Sequence, residues 1–325
     1  MREEFQEFDR LVNSKDRFLI VCHIHPDGDA IGSLLALGLS LRESGKKVAM
    51  VCSDGVPTVY GFLEGSSEIT KELNPDFRPE VLICVDCAEK ERVALNPEVW
   101  DIPGPIIVNI DHHITNQGFG ALNIIEVNAA ATGEIVYQLL EETGRPRNRK
   151  TGLALYTAIA TDTGFFRFAN TSDYSLEVCS QLVKRFQIEP GKVAEYVHEQ
   201  KSYNSIRLLG EVLSTIKLEC NGKVAWAVLD QGMFTKFPVE NEETENYVNY
   251  ARAIEGVEVG ILFKELRPNE VKLSWRSSAA VDVSKFAAYF GGGGHARAAG
   301  CNLNGSMEEV IDKVLSFVAN YYSGG

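Results

Sequence analysis

Short apolar runs alternate with helical stretches over the first half of the chain, and this alternation limits the possible folds more than any other feature. Residues 17–22, 47–52, 81–85 and 106–110 are rich in Val, Ile and Leu, and a helical stretch at 30–42 follows the first run. Strands that are apolar along their whole length are typical of a parallel sheet covered on both faces. The pattern therefore predicts an α/β fold with a mainly parallel sheet flanked by helices.

The pattern changes towards the C-terminus. Further helices are predicted at 130–142, 150–160, 172–186, 190–199 and 202–213. Short strands then follow at 215–220, 223–229, 257–264 and 270–276, with helices at 283–290 and 307–321. Asn221-Gly222 between the first two strands favours a hairpin with a tight turn. We predict an N-terminal domain at 1–188, a helical linker at 189–213 and a smaller mixed α+β domain at 214–325.

Carboxylate and imidazole side chains follow several of these elements where each one ends. They are His23, Asp27 and Asp29 after the first strand, Asp86 after the third, Asp111, His112 and His113 after the fourth, and Asp162 at the end of a helix. Ligands of open α/β sheets bind at the carboxyl ends of the strands. One alternative for Asp29 is that it only caps the next helix. As a set, oxygen and imidazole ligands favour manganese or magnesium over zinc or copper, and they predict a metal site.

A glycine run and nearby basic residues suggest a second site in the smaller domain. Gly291–Gly294 precede His295 and Arg297, and Arg276 ends a predicted strand. Glycines let a backbone approach an anion closely, and the planar guanidinium of Arg suits phosphate. This combination predicts a phosphate clamp, and the alternative is a plain flexible turn.

Two assignments near Asp162 stay open. Arg167 is either a phosphate contact or a surface ion-pair residue. Most of the aromatic residues Phe165, Phe166, Phe168 and Trp275 are predicted to be core residues, with base stacking as the alternative.

Charge and cysteine content exclude some classes of protein. The chain has 325 residues, with 32 basic and 45 acidic side chains and a net charge of −13. That balance argues against coating long nucleic acid but permits a small anionic substrate in a local pocket. The N-terminus lacks the apolar core of a signal peptide, and we expect no membrane-spanning segment and no membrane partner. Seven scattered cysteines predict reduced thiols and a cytoplasmic location, and the Cys84-x-x-Cys87 pair lacks the second pair of a zinc site.

Together these motifs resemble those of the DHH phosphoesterase superfamily. The order of HxxxDxD, an aspartate after a strand, Asp-His-His and Thr-Asp-Thr-Gly is similar to its four motifs. Ser274-Trp275-Arg276-Ser277 and the GGGGHARAAG segment at 291–300 resemble the DHH-associated substrate-binding domain. The resemblance covers nearly the whole chain. Within the superfamily, the length of the chain and the residues of its motifs are most similar to those of stand-alone bacterial oligoribonucleases that also dephosphorylate phosphoadenosine phosphate.

The resemblance implies roles for individual residues. One metal ion would be held by His23, Asp27 and Asp86, and the second by Asp29, Asp86, His112 and Asp162. His25 competes with His23 for the first position. Asp111 would orient its neighbours, and His113 would stand near the scissile phosphate. The substrate-binding residues would be Arg276, Ser277, Gly292, Gly293, Gly294, His295, Arg297 and Arg167. The cofactor would be two Mn²⁺ ions, with Mg²⁺ or another divalent ion as alternatives.

The implied activity is two-metal hydrolysis of short oligoribonucleotides to mononucleotides, with 3′-phosphatase activity on phosphoadenosine phosphate. The partners would be short RNA oligonucleotides, nucleoside bisphosphates or dinucleotides, without long duplex nucleic acid, and a homodimer is the candidate assembly. One rival is a phosphodiesterase for cyclic or linear dinucleotides, and a manganese pyrophosphatase or a long-strand exonuclease are others. A non-catalytic nucleotide-binding sensor is the alternative from another class.

Overall fold

The computed structural model describes residues 2–93, 104–239, 241–244, 246–278 and 281–323. The chain divides into two compact units, Met1–Gln200 and Lys201–Gly325. Among the described residues, none of the helices has the length and apolar character needed to cross a bilayer.

The first unit contains a six-stranded parallel sheet. Its strands are β1 (Arg17–Val21), β2 (Lys47–Val51), β3 (Ile69–Thr70), β4 (Val81–Val85), β5 (Ile106–Asp111) and β6 (Leu122–Ile125). They are arranged in the order β3-β2-β1-β4-β5-β6, and every neighbouring pair is parallel. The predicted α/β class is confirmed. In this doubly wound order the chain changes direction between β1 and β4, and ligands of such sheets bind at that point.

The helices of the first unit are α1 (Glu3–Ser14), α2 (Gly28–Glu43), α3 (Thr132–Glu142), α4 (Arg149–Asp162), α5 (Asp173–Phe186) and α6 (Pro190–Ala194), and a wider turn at Glu195–Glu199 follows α6. Helix α1 was not predicted, although its buried Phe5, Phe8 and Val12 have helical spacing. The short strands β3 and β6 were not predicted either.

Glycines bring helices α2, α3 and α4 close together. A Cβ atom at Gly32 would lie 2.5 Å from the carbonyl oxygen of Ala154, and one at Gly133 would lie 2.6 Å from the Cβ of Ala158. Neither distance is possible for a larger residue without movement of a helix. This close packing places the start of α2, the start of α3 and the end of α4 beside one another.

The second unit is built on a mixed sheet. Its strands are β7 (Lys217–Glu219), β8 (Val224–Leu229), β9 (Val259–Arg267), β10 (Glu270–Ser277), β11 (Gly293–His295) and β12 (Ala298–Asn304), in the order β11-β12-β10-β9-β8-β7. Only β8 and β9 pair in parallel among these neighbours. The helices are α7 (Tyr203–Ser214), α8 (Gln231–Lys236), α9 (Val248–Arg252), α10 (Val283–Tyr289) and α11 (Met307–Ser323).

For this unit, one local expectation was wrong in detail and one alternative was wrong. The Asn221-Gly222 hairpin forms, but Glu219 pairs with Val224, so that four residues connect the strands instead of two. Cys220, Asn221 and Gly222 all have positive φ, which lengthens the turn. The glycine run is not a plain flexible turn, because Gly293–His295 pairs with β12 as an edge strand.

Helix α7 belongs to the second unit, where its buried Leu208 and Val212 pack in a cluster with Leu229 and Leu262. The division between the two units falls at residue 200. The boundaries at 188 and 214 stay predictions.

Candidate metal centre

His23 and Asp27 lie in the loop that connects β1 to α2. The Nδ1 atom of His23 lies 2.7 Å from the carbonyl oxygen of Ile24. A carbonyl only accepts hydrogen bonds, so Nδ1 carries the proton and a neutral ring has its lone pair at Nε2. That Nε2 atom lies 3.4 Å from Asp86 Oδ2 and 3.9 Å from Asp27 Oδ1.

His25 points elsewhere. Its side chain is 85% exposed, and its Nδ1 atom lies 3.5 Å from Asp54. The structure thus brings His23, and not His25, to Asp86.

Asp27 and Asp29 have different local roles. Oδ1 of Asp27 accepts hydrogen bonds of 3.0 Å from the N–H groups of Asp29 and Ala30, so Asp27 is the cap of α2. Asp29 is buried and does not cap its own helix, which makes that alternative wrong. Its Oδ2 and Oδ1 accept from the N–H groups of Thr132 (2.6 Å) and Gly133 (2.9 Å) at the start of α3.

Asp86 lies at the centre of the cluster. It follows β4 with a φ of 58°, a left-handed conformation that Asp tolerates better than most residues. Besides the contact of its Oδ2 with His23, its Oδ1 lies 3.6 Å from His112 Nε2 and 3.7 Å from His113 Nδ1. The carboxylate therefore contacts imidazoles on both of its sides.

His112 faces three carboxylates with one nitrogen. Its Nδ1 lies 3.2 Å from the carbonyl oxygen of Ala129, so Nδ1 donates. Its Nε2 lies 3.6 Å from both Asp86 and Asp162, and 3.9 Å from Asp29. A lone pair that faces carboxylates is stabilised only by a proton or by a cation placed between them.

Ligand-type atoms converge in three groups, each with all its atoms within 4.8 Å of one another. The groups are His23, Asp27 and Asp86; Asp29, His112 and Asp162; and Asp86, His112 and His113. The donor set is oxygen and imidazole, which fits hard divalent ions such as Mn²⁺ and Mg²⁺. The residues present therefore fit a pair of cations that share Asp86.

His113 is held by a buried hydrogen-bond chain. Its Nδ1 lies 2.7 Å from Oδ1 of Asp111, which is fully buried at the end of β5. The other oxygen of Asp111 accepts a 2.6 Å hydrogen bond from Asn116. Asn116 also donates to the carbonyl oxygen of Cys87 and to the side chain of Asn109. These hydrogen bonds orient the His113 ring.

The pKa shifts within the cluster indicate that its carboxylates have too little positive charge near them. Burial raises the pKa of Asp29, and neighbouring Asp86 and Asp162 raise it further. Burial also raises the pKa of Asp162, to about 7. Burial acts to lower the pKa of His23, but its hydrogen bond to Asp86 and the charge of Asp27 outweigh burial and raise that pKa to about 9.

Asp86 and His113 shift in a related way. Burial acts to raise the pKa of Asp86, but its hydrogen bond with His23 and the nearby histidine charges lower it to about 2. Burial acts to lower the pKa of His113, and its bond to Asp111 and the charge of Asp86 raise it. Such a cluster retains protons at neutral pH unless cations replace them.

Asp162 is followed by a strained turn. Gly164, Phe165 and Phe166 have φ values of 57°, 56° and 64°. Consecutive left-handed residues are rare and costly when they carry side chains. The exposed Arg167 follows them, and its Nε donates a 2.7 Å hydrogen bond to the carbonyl oxygen of Gly164.

The aromatic residues divide as follows. Trp275 is fully buried, which confirms it as core, and Phe165 and Phe166 are partly buried against the core of the first unit. Phe168 is 57% exposed and lies outside the core.

The second unit places Arg276 and His295 on one face of its sheet. Arg276 on β10 pairs with Ala298 on β12, and Ala298 pairs with His295 on β11. Paired residues of antiparallel strands point to the same face, and strands lie about 4.8 Å apart, so the two backbones are separated by about 10 Å. Arg276 and His295 thus form a row across the sheet, and the exposed Arg297 lies beside it.

The glycines and Ser277 have structural contacts in this region. A Cβ atom at Gly292 would lie 2.2 Å from the carbonyl oxygen of Gly300, and one at Gly294 would lie 2.6 Å from that of Ala298. Gly293, by contrast, has open space around it. The hydroxyl of Ser277 donates a 2.6 Å hydrogen bond to the carbonyl oxygen of Val281.

Sequence reasoning missed three residues of the first unit that hold the acids. Thr132 donates to Asp29 and Asp86, Ser33 donates to Asp29 with a distance of 2.9 Å, and Asn116 donates to Asp111. Of the three, only Ser33 could have been predicted from the sequence, because it lies one helical turn after Asp29. Thr132 lies 103 residues from Asp29 in sequence, and no local pattern reveals that contact.

The first unit is a doubly wound domain with acids and imidazoles at its switch point, and a smaller mixed-sheet unit follows it in the chain. This arrangement fits a metal-dependent phosphoesterase. The chain belongs to the DHH family of such enzymes. The pattern of the DHH family, N-terminal domain, matches residues 17–161, and that of the DHHA1 domain matches residues 221–324.

Full-length relatives support this assignment. The chain is 33% identical to the bifunctional oligoribonuclease and PAP phosphatase NrnA of Thermus thermophilus, over 92% of this chain and 88% of that one. It is 26% identical to the protein of the same name from Bacillus subtilis, over 95% and 96%. An exopolyphosphatase-related protein from Bacteroides fragilis has a similar structure, with a TM-score of 0.89, 27% identity and coverage of 98% and 97%.

Proposed function

We propose that this protein is a two-metal phosphodiesterase that hydrolyses short oligoribonucleotides to mononucleotides and removes the 3′-phosphate of phosphoadenosine phosphate (PAP). The observation that carries the proposal is the convergence of three acid–imidazole groups around Asp86. The substrate class is supported by relatives named oligoribonuclease and PAP phosphatase, which align with more than nine-tenths of this chain.

Two Mn²⁺ ions are the proposed cofactor, with Mg²⁺ or another divalent ion as the alternative. His23, Asp27 and Asp86 would hold one ion, and Asp29, Asp86, His112 and Asp162 the other. When bound, the ions supply an activated water and neutralise charge on the phosphoryl oxygens. The Nε2 atoms of His23 and His112 both face Asp86, one from each side, which is why these two rings suit the role.

His113 is the proposed proton donor to the leaving oxygen. Its hydrogen bond to Asp111 and the charge of Asp86 outweigh burial and raise its pKa, which favours the protonated form that a general acid needs. Asp111 and Asn116 fix the orientation of the ring. Asp111 therefore acts as a positioning residue and does not contact substrate.

The row of Arg276 and His295, with Arg297 beside it, is the proposed contact for a terminal phosphate. Gly292, Gly293, Gly294 and Ser277 would shape the backbone there, and Arg167 of the first unit is a further candidate phosphate contact. A few cationic groups on a protein of net charge −13 suit a short anion better than a long polymer.

Product analysis of the purified protein tests the proposal. The substrates are a 5′-phosphorylated RNA dinucleotide, a pentamer, a 20-mer, PAP, a cyclic dinucleotide and pyrophosphate, each with Mn²⁺ and with a chelator. We expect Mn²⁺-dependent release of mononucleotides from the dinucleotide and pentamer, release of phosphate from PAP, and slow attack on the 20-mer. Asp86→Asn should lose activity, and Asp173→Asn, which changes an exposed aspartate of α5, should keep it.

Other results would assign another function. Preferential cleavage of the cyclic dinucleotide would indicate turnover of signalling dinucleotides, and cleavage of pyrophosphate alone would indicate a pyrophosphatase. Rapid attack on the 20-mer would indicate a long-strand exonuclease. Binding of nucleotides without any turnover would indicate a sensor.

A cytoplasmic location and a homodimer are also proposed. All seven cysteines are free thiols, and six of them are buried, which supports a reducing compartment such as the cytoplasm. A homodimer stays a prediction that sedimentation of the purified protein would test.

A further inference from the structure

Thr132 connects two acids of the candidate metal centre. It is the first residue of α3 and is fully buried. Its N–H group donates a 2.6 Å hydrogen bond to Asp29 Oδ2, and its hydroxyl donates a 3.0 Å hydrogen bond to Asp86 Oδ1. One residue thus contacts a carboxylate of each proposed cation position.

The hydroxyl contact decides how Asp86 presents its two oxygens. Oδ1, which accepts from Thr132, is the oxygen near His112, whereas Oδ2 is the oxygen near His23. Rotation about the Cβ–Cγ bond of Asp86 would break the hydrogen bond to Thr132 and move both oxygens. Thr132 therefore holds the carboxylate in the orientation in which it can serve both cations.

The backbone contact does the same for Asp29. Both of its oxygens accept N–H groups from the first turn of α3, where the helix dipole also favours negative charge. The position of this helix end is in turn fixed by the close approach of Gly133 to Ala158 on α4.

We infer that Thr132 is a positioning residue for the reaction, whose hydroxyl fixes the shared carboxylate of Asp86 so that both cations bind. The inference rests on the proposed two-cation function. Hydrogen-bond partners of metal ligands contribute roughly 10- to 100-fold to metal affinity or activity, and this is the loss expected when the hydroxyl is removed.

Two pairs of variants isolate the hydroxyl. Thr132→Val keeps the shape and removes the donor, and Thr132→Ser keeps the donor. If Thr132→Val does not fold, Thr132→Ala and Thr132→Ser form the second pair. Neither has a β-branched side chain, and only Thr132→Ala lacks the hydroxyl donor. Thr157→Val is the matched control, because Thr157 is also fully buried and its hydroxyl donates only to the carbonyl oxygen of Leu153 within α4.

The readouts are Mn²⁺ affinity by calorimetry, the Mn²⁺ dependence of kcat and KM on an RNA dinucleotide, and the melting temperature of the metal-free protein. We expect weaker Mn²⁺ binding by about 10- to 100-fold in Thr132→Val and Thr132→Ala, with partial recovery of kcat at high Mn²⁺. Thr132→Ser and Thr157→Val should bind Mn²⁺ like the wild type, even if their melting temperatures fall.

Wild-type Mn²⁺ affinity in Thr132→Val would overturn the inference and leave the proposed function standing. Equal losses in Thr132→Ser and Thr132→Ala would also overturn it, because packing and not the hydroxyl would then be responsible. Absence of Mn²⁺ binding and turnover in the wild-type protein would overturn the proposed function itself and this inference with it.

Discussion

At the scale of single residues, two histidines in one loop have opposite surroundings. His23 is buried against Asp86, whereas His25 is exposed beside Asp54 with a φ of 55°. We predict that His23→Asn weakens Mn²⁺ binding and lowers turnover by more than about tenfold, while His25→Asn keeps both. Asn tolerates positive φ, so the second variant preserves the backbone and is a matched control for the first. Calorimetry with Mn²⁺ and dinucleotide cleavage measure the outcome, and equal effects of the two substitutions would contradict it.

Protons and cations compete for the same side chains. In the metal-free protein, the pKa of His23 is raised to about 9 and that of Asp162 to about 7, so near neutral pH His23 carries a proton and Asp162 carries one part of the time. Cation binding must release these protons, and the apparent affinity for Mn²⁺ should rise as the pH increases from about 6 to 9. Titrations at several pH values, in buffers of different ionisation enthalpy, measure both the affinity and the protons released. An affinity that stays constant over this range, without proton release, would refute the prediction.

Much of the acid cluster could be predicted at this scale, because His23, Asp86 and His112 each follow a strand end in the sequence. The orientation of the side chains could not be predicted. It depends on hydrogen bonds such as those from Thr132 to Asp29 and Asp86, which connect residues that are far apart in the chain. The sequence also does not reveal that Asp86 has a left-handed backbone.

At the scale of elements, the left-handed turn after α4 presents Asp162. Gly164 has a φ of 57°, and a Cβ atom there would lie 2.6 Å from the Phe168 ring. We predict that Gly164→Ala lowers the free energy of unfolding by about 1–2 kcal/mol and weakens Mn²⁺ binding, because strain in the turn is transmitted to Asp162.

Gly210→Ala is the control for that variant. Gly210 lies within α7, and a Cβ atom there would meet no other atom within 4 Å, so alanine should stabilise the helix by about 0.5–1 kcal/mol. Chemical denaturation measures both variants. A fully stable Gly164→Ala protein with normal Mn²⁺ affinity would count against a role for the turn.

Strands were predictable where a continuous apolar run marked them and not where such a run was absent. The strands β1, β2, β4 and β5 have continuous apolar residues and were predicted within one or two residues. Strand β12 contains Ala, Gly and Asn, which are poor strand formers, and it forms because Trp275 and Leu273 of β10 pair with it. Tertiary pairing, and not local preference, decides such segments.

At the scale of the whole molecule, metal binding and phosphate recognition are proposed for different units. Arg276 and His295 share one face of the second sheet, and all the proposed cation ligands lie in the first unit. We predict that Arg276→Gln raises KM for a 5′-phosphorylated dinucleotide by about tenfold or more, since hydrogen bonds to charged groups contribute about 1.5–3 kcal/mol. Its Mn²⁺ affinity should not change.

Arg267→Gln is the matched control, because Arg267 is an exposed residue of the same sheet that pairs with Glu270. Kinetics with 5′-phosphorylated and 5′-hydroxyl dinucleotides separate the contribution of the phosphate. If Arg276→Gln affects both substrates equally, Arg276 does not recognise the terminal phosphate.

The fold class could be predicted from the sequence because the alternation of strands and helices is regular over the first unit. The three-dimensional meeting of its acids follows from the strand order, in which β1 and β4 are neighbours although β2 and β3 lie between them in the chain. The same strand order makes the ends of β1, β4 and β5 adjacent, and the proposed function requires two cations to bind there.

An anomalous difference map from crystals of the Mn²⁺-loaded protein, recorded at the manganese absorption edge, would locate these cations. We predict two peaks in the first unit, one bound by His23, Asp27 and Asp86 and the other by Asp29, Asp86, His112 and Asp162. A single peak, or peaks bound by other residues, would contradict binding of two cations at this site.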